Sequence, residues 1–228
     1  MNNSISLVIP VYNNEKTLNK YLNECHKLLL SEKNKFEIII CDDGSKDNSL
    51  NIMQSFRKKH KNISIILHKK NLGIAPTLKD LYSHANNKYV VLFSADGGWN
   101  SKDVVRLVRS IIKSDKDVVV GKRINKQYTL KRKIISFLYN FIPQILFGVN
   151  LFDVGSIKVF KLDIYKKIKI KSKSVFFEAE FLIKAIKKGY NITAISVSHN
   201  KNNKNKSGVN YKIVIDSFLD ALILRINI

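Results

Sequence analysis

Short apolar runs alternate with longer stretches of helical spacing from the start of the chain. Ile5 to Val11 is an apolar run of the kind that reads as a buried strand, and Glu15 to Leu30 places Leu18, Leu22, Cys25 and Leu29 at helical intervals. The same alternation recurs. Phe36 to Cys41 is a second strand, Asp47 caps a helix reaching about His60, Ile63 to Leu67 is a third strand and Ala75 to Ala85 a third helix. Tyr89 to Phe93 is a fourth strand, Ser101 caps a helix through Ile112, and Asp117 to Val120 is a fifth strand running into Gly121-Lys122-Arg123. Strands and helices alternating in this way predict an α/β fold, with mostly parallel strands and helices on both faces.

Beyond Arg123 the pattern loosens. Val154 to Phe160 predicts a strand that makes the sheet mixed, Glu178 to Lys188 a helix closed by Gly189, and Ile192 to Val197 a last strand before the polar, basic loop Lys201 to Gly208. Ile134 to Phe152 carries no charge over nineteen residues, with Ser136, Asn140, Gln144 and Gly148 at every fourth position. That is a narrow polar stripe on an apolar cylinder, and Lys131-Arg132-Lys133 just before it would suit phospholipid headgroups. An interfacial helix, a helix buried in the domain and a helix in a dimer interface all fit it. Tyr211 to Ile226 is an amphipathic helix, with Lys212, Asp216 and Asp220 in one row against Ile213, Ile215, Phe218, Leu219, Leu222 and Ile223. Such a face ordinarily packs on its domain; it could also lie on a membrane or meet a second copy.

At 228 residues the chain predicts one large α/β domain, residues 1–208, followed by the helix of 209–228. Forty Lys and Arg against eighteen Asp and Glu give a net charge of +22, favouring a polyanion, an anionic membrane or a phosphorylated substrate. An AT-rich coding bias explains part of the Lys, Asn and Ile richness, but not the shortage of acids. Charge alone would also fit nucleic acid. No stacking aromatic accompanies the basic residues, so that class is set aside. Two cysteines, Cys25 and Cys41, without CxxC spacing, predict a reduced cytoplasmic protein, and a core strand begins too soon after Met1 for a signal peptide to precede it. None of the five histidines has a neighbour at metal-ligand spacing.

The chemistry gathers at predicted strand ends. Asp42-Asp43-Gly44-Ser45 follows the second strand and Ser94-Ala95-Asp96-Gly97 the fourth, and ligands of open α/β sheets bind beyond those ends. Taken alone, Asp42 to Ser45 is also an ordinary turn with a helix cap. Together with Pro10-Val11-Tyr12-Asn13 after the first strand and Asn71-Leu72-Gly73 after the third, these segments resemble family-2 glycosyltransferases of the GT-A fold. Gly121-Lys122-Arg123, Asp153-Val154-Gly155-Ser156, Phe177-Glu178-Ala179-Glu180 and the basic loop are similar to the polyprenyl-phosphate sugar transferase branch, typified by dolichyl-phosphate mannosyltransferase.

That resemblance implies an inverting, metal-dependent hexosyltransferase, cytoplasmic and peripheral on the inner face of the cell membrane. Its donor would be a UDP- or GDP-sugar, its acceptor a polyprenyl phosphate or related cell-envelope glycan, and its cofactor Mg²⁺ or Mn²⁺. A partner membrane protein or a homo-oligomer would also fit. Residues 1–125 would be the nucleotide-sugar half and 126–208 the acceptor side. Pro10, Tyr12, Asp42 and Asp43 would line the nucleoside pocket, and Ala95 and Asp96 would stand at the diphosphate and metal. Arg123, Arg132, Lys201, Lys204 and Lys206 would face phosphates. The family's Asp-x-Asp begins here with Ser94, its following Gln is Gly98, and its acidic residue after Tyr12-Asn13 is Asn14. These departures keep open a catalytically degenerate member that binds a nucleotide or a protein partner. Glu178 and Glu180 are read as favourable charges at a helix N-terminus or, for a hydroxyl acceptor, as a general base. His199 is read as a solvated loop residue or as a reach toward the metal.

Overall fold

The computed structural model describes residues 3–114, 116–124, 141, 143–199 and 211–226. Its strands are β1 (Ser4–Val11), β2 (Lys35–Asp42), β3 (Ile63–Leu67), β4 (Tyr89–Leu92), β5 (Val118–Ile124), β6 (Lys158–Lys161) and β7 (Ile192–Ser198). The helices are α1 (Glu15–Ser31), α2 (Ser49–Lys59), α3 (Ile74–His84), α4 (Lys102–Lys113), α5 (Leu162–Lys167), α6 (Phe177–Lys187) and α7 (Tyr211–Ile226). The strands form one sheet in the order β3-β2-β1-β4-β6-β5-β7, parallel throughout except for β6.

The apolar runs are continuous because helices cover both faces of the sheet. Alternate residues along each strand enter opposite layers. Val8, Ile39, Cys41, Val90, Val118 and Val120 pack with α3, α6 and α7. Leu7, Ile9, Ile38, Ile40, Val91 and Val119 pack with α1, α2 and α4. Chain order reverses at β1, which lies between β2 and β4, and this is where an open α/β sheet leaves a crevice at its carboxyl edge. The register carries Val11, Asp42 and Leu67 to that edge side by side.

Several expectations shift in detail. The predicted strand over 154–160 begins only at Lys158, because Asp153 to Ser156 form a turn closed by the Ser156 N–H on the Asp153 carbonyl at 3.0 Å. The Ser101 side chain does not cap α4; its hydroxyl donates to Glu24 at 2.7 Å, and the Asn100 side chain accepts the Lys102 N–H at 3.0 Å. Gly189, at φ +81°, stands just past α6 as expected. Both cysteines are buried free thiols, and burial, with Asp80, Asp43 and Asp42 nearby, pushes Cys41 up to about 12.

Of the uncharged segment 134–152, residues 134–140 and 142 lie outside the described residues. Residues 143–147 are helical, Gly148 turns left-handed at φ +67°, and Phe147 and Val149 enter the core, so no single helix runs on to Phe152. No helix among the described residues is long and apolar enough to cross a membrane. The terminal helix α7 reverses the ordinary expectation. It meets the domain through Ser217, Ala221 and Leu224, while Ile213, Ile215, Phe218, Leu219, Leu222 and Ile223 are exposed.

Candidate active site

The loops after β1 and β2 are laced together by their own polar side chains. The Asn13 N–H donates to the Ser45 hydroxyl at 3.0 Å, and the Lys46 N–H donates to the Asn13 side chain at 2.8 Å. The Asn14 N–H reaches the Ser49 hydroxyl at 2.9 Å, and the Glu15 N–H reaches Asp47 at 2.9 Å. Asp47 also accepts the Ser49 N–H at 3.0 Å, close to the capping role expected of it. Asn13 sits at φ +52°, a left-handed conformation that asparagine tolerates better than most residues. Gly44 is at φ +70°, and a Cβ there would lie 2.6 Å from the Lys70 carbonyl carbon, so only glycine lets the loop after β3 close over it.

Asp42 and Asp43 are buried at the end of β2 and do different work. Asp42 accepts the Ser45 N–H at 3.0 Å and shapes its own turn. Asp43 reaches across to the third loop, accepting the Leu72 and Gly73 N–H groups at 2.8 and 2.9 Å, with His68 Nδ1 2.8 Å away. Three of its roughly four acceptor positions are thereby filled. The expected pocket carboxylate is therefore also the clamp that forms the pocket wall. Pro10 is buried one residue short of the end of β1, and Tyr12 is 44% exposed.

Sequence reasoning missed His68. Its other nitrogen, Nε2, lies 2.9 Å from Asp80, and Cys41 Sγ is 3.6 Å away. Burial alone would lower its pKa, but hydrogen bonds and charge from Asp43 and Asp80 outweigh that and raise it above the ordinary 6.5. Because the folded-state value is the higher one, the imidazolium stabilises the fold fully below pH 6.5, and that contribution fades as pH rises through the raised value. Urea unfolding midpoints of wild type should therefore fall across this window, and His68→Gln should flatten the dependence. Parallel slopes for the two proteins would contradict this account.

On the other side of β1, Ser94 and Asp96 are half-buried at the end of β4, with Ala95 buried between them. The Ala95 carbonyl accepts the Thr17 hydroxyl at 2.6 Å, anchoring this loop to the start of α1. Asp96 Oδ1 accepts the Gly98 N–H at 2.9 Å, and Gly97 takes φ +90° to make that turn. Beyond it Trp99 is buried against two functional candidates. Arg123 lies over its ring at 5.6 Å and His199 packs edge-on at 5.0 Å, with the backbones of Trp99 and His199 bridged. His199 is thus tied to the Asp96 loop instead of standing in a solvated loop. The only sequence signal for Trp99 is that it is the sole tryptophan, three residues after Asp96.

Arg123 is held by Asp153 through Nη2 and through Nε at 2.7 Å, so its orientation is fixed and its charge is partly neutralised. Neither Glu178 nor Glu180 is a simple helix-dipole charge. Glu178 forms a buried ion pair with Lys158 and accepts the Tyr82 hydroxyl at 2.9 Å. Glu180 accepts the Lys171 and Ser172 N–H groups and pairs with Lys184; these hydrogen bonds outweigh burial and lower its pKa. Arg132, Lys201, Lys204 and Lys206 lie outside the described residues. Among the described residues, no group of three or more His, Cys, Asp or Glu stands together as a metal cluster.

The sheet thus carries carboxylates on either side of its switch point, Asp42 and Asp43 after β2 and Asp96 after β4, with the Arg123 guanidinium on the same edge. The chain belongs to glycosyl transferase family 2, whose sequence profile matches residues 6–169. It is 26% identical to a dolichyl-phosphate β-glucosyltransferase of Trichomonas vaginalis, over 98% of this chain and 75% of that protein. It is 27% identical to a dodecaprenyl-phosphate galacturonate synthase of Rhizobium johnstonii, over 73% of this chain but only 50% of that protein. The fold matches glucosyl-3-phosphoglycerate synthase of Mycobacterium tuberculosis, crystallised with Mn²⁺, UDP and glucosyl-3-phosphoglycerate. The TM-score is 0.73 at 14% identity, covering 99% of this chain and 81% of that one. The same enzyme has been crystallised with Mg²⁺ and UDP. The mixed, mostly parallel sheet is that of the GT-A fold, as the resemblance implied.

Proposed function

We propose that the chain is an inverting glycosyltransferase moving a sugar from a UDP- or GDP-sugar to a polyprenyl phosphate, or a related cell-envelope glycan, at the inner face of the cell membrane. The observation that carries this reading is the arrangement of Asp42, Asp43 and Asp96 around the β1 switch point of a family-2 chain. Residues 1–125 would take the donor and 126–208 the acceptor side. The nucleoside would rest against Pro10, Asp43 and the exposed ring of Tyr12, with the diphosphate at Ser94 to Asp96 and the Asn14 and Gly98 loops beside it.

Asp96 would hold Mg²⁺ or Mn²⁺, and one carboxylate beside a diphosphate suits a cation that takes its other ligands from phosphate and water. When bound, that cation neutralises charge on the leaving diphosphate. An acceptor phosphate oxygen would form the new bond to the anomeric carbon as the bond to the diphosphate breaks, the diphosphate leaving with the electron pair and the anomeric configuration inverting. A phosphate acceptor is already an anion, so no general base is needed, and the protein's contribution is positioning. Arg123, steadied by Asp153 and Trp99, would present one ordered donor. Further positive charge would come from Lys122, Arg132 and the loop of Lys201, Lys204 and Lys206.

Ser94 in place of an aspartate favours a second reading, a degenerate member that binds a nucleotide or a protein partner. Calorimetric titration of UDP- and GDP-sugars with Mn²⁺ and with EDTA, followed by donor turnover, separates the two. Binding with turnover supports the transferase. Binding without turnover of any donor, restored by Ser94→Asp, supports the degenerate reading, and no binding defeats both.

A further inference from the structure

Helix α7 is apolar on two opposite sides, and only one of them meets protein. Ser217, Ala221 and Leu224 are buried, and Asp220 fastens that side by accepting the Lys173 and Ser174 N–H groups at 3.0 and 2.9 Å and the Ser174 hydroxyl at 2.7 Å. At about 100° per residue, Ile215, Phe218, Leu219, Leu222, Ile223 and Ile226 fall on the opposite arc. All six are exposed, from 36% at Leu222 to 85% at Ile226. A soluble monomer rarely leaves so continuous an apolar strip open without a use for it.

Charge identifies the occupant. Exposed Arg225 lies at one border of the strip, beside Phe218, and exposed Lys212 lies on the strip itself, at its N-terminal end between the rows of Leu219 and Ile223. The acids of the helix are turned away from its centre, Asp220 into the protein and half-buried Asp216 to one side. A second copy of a chain with net charge +22 would bring like charges together along this strip, whereas anionic headgroups would meet Lys212 and Arg225 with opposite charge.

We propose that this outer face of α7 lies on an anionic phospholipid bilayer, its apolar side chains at the headgroup–acyl boundary and Lys212 and Arg225 at headgroup level. The inference rests on the transferase reading for its purpose. The Ser174 anchor leads into α6, whose Glu178 meets Lys158, and Lys158 pairs with Leu92 at the carboxyl end of β4. The helix is therefore fastened toward the edge that carries the site, where a lipid-borne acceptor would have to arrive.

The test is flotation of the full chain with vesicles of phosphatidylcholine alone and with added phosphatidylglycerol, for wild type and Leu219→Ser/Leu222→Ser. Both positions are exposed, so the variant keeps its packed face, and equal thermal midpoints check this. Wild type should float with the anionic vesicles only, less so at high salt. The variant should bind at least about tenfold more weakly. Sedimentation without lipid should give a monomer. Failure of wild type to bind anionic vesicles overturns the proposal, as does a dimer that the variant dissolves, which would make the face a self-interface. Nucleotide-sugar titration on the same samples keeps the two readings apart. Vesicle binding without donor binding removes the transferase alone, and donor binding without vesicle binding removes the membrane face alone.

Discussion

Asp96→Asn is expected to cut sugar transfer about a hundred- to a thousandfold, with almost no change in thermal midpoint. The substitution is chosen for what it preserves. Asp96 Oδ1 accepts the Gly98 N–H at 2.9 Å, and an asparagine carbonyl accepts it equally well, so the turn through Gly97 survives. What disappears is the negative charge at the end of β4, where a divalent cation bound to the donor diphosphate would be held. With Ser94 where the family usually has a second carboxylate, no neighbour in the motif can compensate. Steady-state kinetics should locate the loss mainly in kcat, because charge on the leaving group grows toward the transition state. A variant within about threefold of wild type would reduce Asp96 to a loop-shaping residue.

The largest loss of stability is expected from Lys158→Met. Lys158 begins β6 and is completely buried; its ammonium meets Glu178 on the first turn of α6, where Tyr82 also donates. Burial first, and then the charge and hydrogen bond of Glu178, raise the Tyr82 pKa, so the phenol stays a donor. Removing the lysine leaves a carboxylate in an apolar layer with one neutral donor, and breaking one side of a buried pair typically costs about 3–5 kcal/mol. Adding Glu178→Gln should recover much of that, because the stranded charge is then gone. Urea unfolding at constant m-value measures both. A loss under about 1 kcal/mol for the single variant would mean that water or another cation reaches Glu178.

The first four strands were legible because strands packed under helices are mostly apolar along their length, and even the partly exposed edge strand Ile63–Leu67 has the bounds its residues suggested. The later half was less so. β6 has four residues and α5 six, too short to show a period, and β6 inserts between β4 and β5 through pairings that leave no local pattern. The carboxylates Asp42, Asp43 and Asp96 could be found because strand ends locate them. Their partners could not, since His68 meets Asp43 across 25 residues and Arg123 meets Asp153 across 30. The orientation of α7 misled for a related reason. Its Lys212, Asp216 and Asp220 row reads as a solvent side, but the open N–H groups of Lys173 and Ser174 draw Asp220 inward and turn the apolar strip out.

The central claim is transfer from a nucleotide donor to a lipid phosphate, and the most direct measurement is radiolabelled sugar appearing in solvent-extracted lipid. The chain would be given a panel of UDP- and GDP-sugars with polyprenyl phosphate, in Mn²⁺ or Mg²⁺ and in EDTA, with Asp96→Asn alongside. The account predicts a labelled lipid from one donor, absent with EDTA and nearly absent with the variant. No labelled lipid from any donor, or label that is indifferent to Asp96, would contradict it.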